Sequence, residues 1–105
     1  MSSSYVLYNA TLQRFVPYPA SRMQTLQSAR HALHHLTQRQ KSCVVLLNAN
    51  STQVLAIRVS KQSKHHFPRN YFKNHRALLY VSTGDLVVYS ATTGEVVDSF
   101  AISEL

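Results

Sequence analysis

The first 84 residues hold no aspartate or glutamate. The four carboxylate side chains, Asp85, Glu95, Asp98 and Glu104, all fall in the last 21 positions, and the eleven lysines and arginines all precede residue 77. Residues 1–76 therefore carry +11 and residues 77–105 carry −4, for a net +7. An ordinary surface interleaves the two signs, because like charges repel and unlike neighbours offset them. A segment without acid forgoes internal salt bridges. The scarcity also excludes a glycosidase-type carboxylate pair, since Glu95 and Asp98 sit three apart on an expected strand and point to opposite faces.

Other scarcities narrow the field further. One cysteine excludes an intrachain disulfide and a multi-thiolate zinc site. Cys43 has apolar neighbours and reads as an inert core thiol rather than a nucleophile. Two glycines, Gly84 and Gly94, leave no phosphate-cradling glycine loop and no Gly-X-Ser-X-Gly elbow. The longest apolar runs are five residues, as in Cys43 to Leu47, too short for a membrane-spanning helix. Residues 1–20 lack a basic-then-apolar leader pattern, so a cytoplasmic location is the expectation.

Apolar residues make up 45% of the chain and aromatics 10%, enough to build a core in one domain over residues 1–105. Residues 1–4 read as a loose start. Tyr5 to Tyr8 and Gln13 to Val16 read as a strand pair around a turn at 9–12, and Pro17 and Pro19 then stop sheet pairing. Ser21 is a candidate N-cap for a helix at about 21–40. Leu26, Ala29, Leu33 and Leu36 recur at helical spacing and define its buried face. Its other face carries Gln24, Gln27, Ser28, His31, His34, His35 and Gln38.

From Ser42 the period changes. Cys43 to Leu47 reads as a buried strand, Asn48 to Ser51 as a turn, and Val54 to Val59 as an alternating strand. Three β-rich runs close the chain, at 77–82, 86–90 and 95–102, with turns at Thr83-Gly84-Asp85 and Ala91 to Gly94. Leu78 to Val81 and Leu86 to Tyr89 are apolar on both faces. They ask for the helix on one side and a second layer or second subunit on the other. The expected fold is α+β: an N-terminal hairpin, one amphipathic helix, a second hairpin and a three-stranded meander in a mainly antiparallel sheet.

Between the second hairpin and the meander lies a basic loop, residues 60–76. It carries Lys61, Lys64, Arg69, Lys73 and Arg76, with His65, His66, His75, Phe67, Tyr71 and Phe72 interleaved. Cations pair with phosphates and release counterions, and rings stack on unpaired bases. The expectation is a small non-enzymatic nucleic-acid-binding accessory or regulatory protein. Its contacts are Arg58, Lys61, Lys64, Arg69, Lys73 and Arg76, with Tyr71 or Phe72 as a stacking platform. The alternative is an interaction module or inhibitor that docks on an acidic protein, with the two-faced strands forming a homodimer. A third reading is a metal-free ribonuclease using His65, His66, His75, Lys64, Arg69 and Tyr71 for proton transfer and charge stabilisation. His31 and His35 sit at i and i+4, a chelating spacing. Supporting carboxylates are absent from residues 1–84, so neither a metal nor another cofactor is expected.

Overall fold

The structure is a computed structural model that describes residues 4–39, 42–60, 63–68 and 70–105. The strands are β1 (Tyr5–Asn9), β2 (Arg14–Val16), β3 (Val44–Asn48), β4 (Gln53–Arg58), β5 (His75–Tyr80), β6 (Asp85–Ser90) and β7 (Val96–Ala101). The helices are α1 (Leu26–Arg39) and the single turn α2 (Tyr71–Asn74). All pairings are antiparallel, in one sheet ordered β2-β1-β3-β4-β5-β6-β7. The α+β class, both hairpins and the closing meander match the sequence reading.

Turn chemistry fixes the first hairpin. The side chain of the buried Asn9 accepts the Leu12 N–H at 2.9 Å, which closes the turn before β2. Helix α1 begins later than the sequence suggests. Ser21 lies in a short 3₁₀ turn, Ala20–Arg22, that follows Pro19, and it caps nothing. The cap is Thr25: its Oγ1 accepts the Ser28 N–H at 3.1 Å, while Ser28 Oγ accepts the Thr25 N–H at 3.1 Å. This reciprocal pair satisfies donors that the first turn would otherwise leave open.

Helix α1 packs on β1, β3 and β4. Ala29, Ala32 and Leu33 are buried there against Leu7, Val44 and Leu46, with Leu26 and Leu36 at the margin. The opposite face of the sheet holds a second apolar cluster. It runs from Tyr8, Val45 and Leu47 through Val54 to Ala77, Leu79, Leu86, Val88 and Ile102. Among the described residues only the single turn α2 packs on that face, yet Tyr8 is only 2% exposed. The sheet achieves this by curling over its own inner face. The β1–β2 turn at Gln13 comes to line one depression with Gly84, Asp85 and Ile102 from the far side of the sheet.

The curl overturns one expectation. The helix does not cover the meander. The inner face of β5 and β6 is covered by β1 and β3, and the outer face bears no helix. Its residues there include Arg76, Leu78, Tyr80, Val87 and Tyr89, set by the register Arg76↔Tyr89, Leu78↔Val87 and Tyr80↔Asp85.

The basic loop is also shorter than expected. α2 occupies Tyr71–Asn74 and β5 already starts at His75. Pro68 stands before α2 and its carbonyl accepts the Tyr71 N–H at 3.0 Å, so the helical turn begins only after the proline.

Candidate functional site: a basic groove at the seam of the sheet

The ladder between β4 and β5 covers two register pairs, Gln53↔Leu78 and Val54↔Ala77. Beyond Val54 the strands part, although β4 runs on to Arg58 against β3. A bulge between Leu46 and Leu47, opposite Leu55 on β4, bends the strand at the point of parting. The gap is bordered on one side by α1 and on the other by Phe67, Pro68, Asn70 and α2.

A groove of about 630 Å³ remains at this seam. Helix α1 contributes Arg30, Leu33 and His34; β4 contributes Leu55 to Arg58; the far wall is Phe67, Pro68, Asn70, Phe72 and Lys73. Among the described residues, the permanent cations Arg30, Arg58 and Lys73 surround an apolar floor, and no carboxylate lines it. The guanidinium of Arg58 donates to His34 Nδ1. His34 also borders a shallower depression on the exposed side of α1 with Arg22, His31 and His35. The basic surface therefore continues from the groove along the helix.

The loop aromatics pack on one another. Phe67 meets Tyr71, Phe72 and Phe100 at ring-centroid distances of 5.2, 5.3 and 5.5 Å. Tyr71 stacks on His75 at 4.5 Å, and His75 Nδ1–H donates to the Tyr71 carbonyl at 3.1 Å. All four aromatic residues are half-buried against the inner core, so they anchor the loop to the curled sheet. Phe72 and Phe67 also present ring surface to the groove, whereas Tyr71 does not line it. Burial, and secondarily Asp98, pushes the Tyr71 hydroxyl above its ordinary value, which keeps it protonated.

The sequence-selected cations are dispersed in a specific way. Arg58 and Lys73 line the groove. Lys64 is exposed on the loop, and Arg76 is exposed on the outer face of β5 beside Tyr89. Lys61 and Arg69 lie outside the described residues. Arg30 joins the site from α1, outside the loop-centred set of cations. Its signal was its position three before Leu33 and four before His34, on the flank of the buried stripe. None of His65, His66 and His75 lines the groove. His65 sits edge-on to Phe100 at 4.9 Å with Nε2 3.9 Å from Glu104 Oε2, and His66 is exposed. Cys43 is fully buried and its thiol is pushed up to about 12 by burial, as an inert core thiol requires. Among the described residues no three His, Cys, Asp or Glu side chains cluster to hold a metal ion, and no helix is long and apolar enough to cross a membrane.

Compared with known proteins, the chain matches no family model, no curated protein and no solved structure.

Proposed function

We propose that this is a small non-enzymatic nucleic-acid-binding protein that grips phosphates with the seam groove and the adjoining helix face. The observation that carries the reading is a concave surface bearing Arg30, Arg58 and Lys73 with no acid among its lining residues. Concave basic surfaces concentrate polyanions, and each phosphate neutralised releases condensed counterion. Lys64 and Arg76 extend the footprint.

The test is fluorescence anisotropy with a labelled duplex across a range of salt. The expected log–log slope falls by roughly 3 when Arg30, Arg58 and Lys73 are all changed to Gln, at about 0.9 per phosphate contact. Binding that ignores salt, or that polyglutamate displaces as well as nucleic acid does, overturns the reading.

A second reading has its own observation. The outer face of the meander leaves Tyr80 41% and Val96 59% exposed. Arg76 lies at one end of this face and Asp85 at the other. Two copies packed with antiparallel strands would set Arg76 of each over Asp85 of the other, an isologous contact. Light scattering at low and high salt decides it: a strict monomer at both disposes of the homodimer.

A further inference from the structure

Every basic feature of the seam is satisfied by phosphate alone, but its floor is not. Leu33, Leu55, Ile57, Phe67 and Phe72 supply apolar surface inside a ring of cations. A phosphate or a carboxylate sitting over that floor gains nothing from it. A duplex offers little to put there, because its bases are stacked inward and its outer rim is phosphate. An unpaired nucleotide has both parts: a planar base with apolar faces, joined by a short sugar link to an anion. The groove's volume of about 630 Å³ lies within the range of clefts that hold small ligands. Phe72 and Phe67, half-buried and fixed against each other at 5.3 Å, offer ring surface that needs no reordering.

We infer that the seam groove takes an unpaired base between the α1 side and the Phe67–Phe72 wall, with Arg30, Arg58 and Lys73 holding its flanking phosphates. Single-stranded nucleic acid is then the substrate class. The inference rests on the nucleic-acid reading above and assigns its substrate. It also assigns the stacking role to Phe72 with Phe67 and leaves Tyr71 as a support.

An abasic strand separates the base from the phosphates. Anisotropy competition compares short oligothymidylate, the abasic strand of equal length and a duplex of equal length, at one salt concentration. Oligothymidylate binds about tenfold or more tightly than the abasic strand if one base stacks in the groove. Oligouridylate, run beside it, distinguishes an RNA source from a DNA source of the same chemistry. The variant Ala56→Phe fills the groove from β4 while keeping every cation. It reduces oligothymidylate affinity to that of the abasic strand, with a thermal melt to show that the fold is kept. Equal, salt-sensitive affinity for the abasic and base-bearing strands overturns the inference and leaves the phosphate reading standing. So does an Ala56→Phe protein that retains the full preference for bases. Failure to bind any of the strands at low salt overturns both.

Discussion

Strand β3 is buried on both faces, whereas β5 and β6 are buried on one. Their sequences are similarly apolar, Val-Val-Leu-Leu against Leu-Leu-Tyr and Leu-Val-Val-Tyr. The difference lies in what covers them. β3 has α1 on its outer face and the curled sheet on its inner face. The meander has the curl alone. The charge follows the same division, with every cation before residue 77 and every acid after residue 84. The groove lies at the edge of the helix-covered half, and the bare half carries the exposed Tyr80, Val96 and Val97 together with Arg76. An apolar strand declares that it must be covered, without declaring by what.

The comparison breaks hardest in the core. Leu46→Ala, against the helix, and Leu79→Ala, inside the curl, each lower unfolding free energy by about 2–5 kcal/mol in urea denaturation. Val96→Ala, on the bare face, shifts it by less than about 0.5 kcal/mol. A Leu79→Ala protein as stable as the parent would mean that the curl is not a true core.

Alkaline pH sharpens the contrast next. The folded thiol of Cys43 is raised from its ordinary value near 9 to about 12. A raised folded value means that the stability is fully present below pH 9. It is lost as pH climbs towards 12, because the unfolded chain gives up its proton first. The slope is about 1.4 kcal/mol per pH unit in that window. Burial raises Tyr8 in the same direction. Urea midpoints measured against pH in Cys43→Ala should show a flatter fall than in the parent.

The turns of the bare half come third. Gly84 and Gly94 both adopt φ +74°, a conformation that costs other residues strain. Gly84→Ala and Gly94→Ala each destabilise by about 1 kcal/mol in thermal melts. A Cβ at Gly84 meets Ile102 at an ordinary 3.6 Å and one at Gly94 meets nothing, so strain rather than clash sets both costs. The smallest effect belongs to the exposed hydroxyl pair. Tyr80 and Tyr89 lie 3.0 Å apart, and that hydrogen bond is the main cause that raises the Tyr89 phenol. Tyr80→Phe returns Tyr89 towards its ordinary titration, read by ultraviolet absorbance, with little change in stability.

Much of the architecture was legible because local chemistry and period agreed. Asn9 and the turn at 48–51 punctuate apolar strands, and Leu26, Ala29, Leu33 and Leu36 keep helical spacing into the buried face. The helix start was not, because Ser21 and Thr25 are both good caps and only the chain's exit from Pro19 selects between them. Half of the groove was visible in the loop composition, through Lys73 and Phe72. The other half was not, since Arg30 and His34 reach the site only where β4 and β5 stop pairing. That stop is a long-range event that no local pattern encodes. The loop rings show the same limit. Their types suit a base platform and a structural plug equally, and burial gives most of their surface to the plug.

The short ladder between β4 and β5 has a thermal consequence. Two register pairs and the Leu79 N–H to Thr52 carbonyl bond at 3.1 Å are all the sheet hydrogen bonding that crosses the seam among the described residues. What joins the halves is the shared inner core that runs from Tyr8 to Ile102. Apolar burial loses strength on cooling, while each half keeps its own longer ladders. Chilling therefore loosens this molecule from the middle outward, and the groove, which lies on that line, is the first part to feel it.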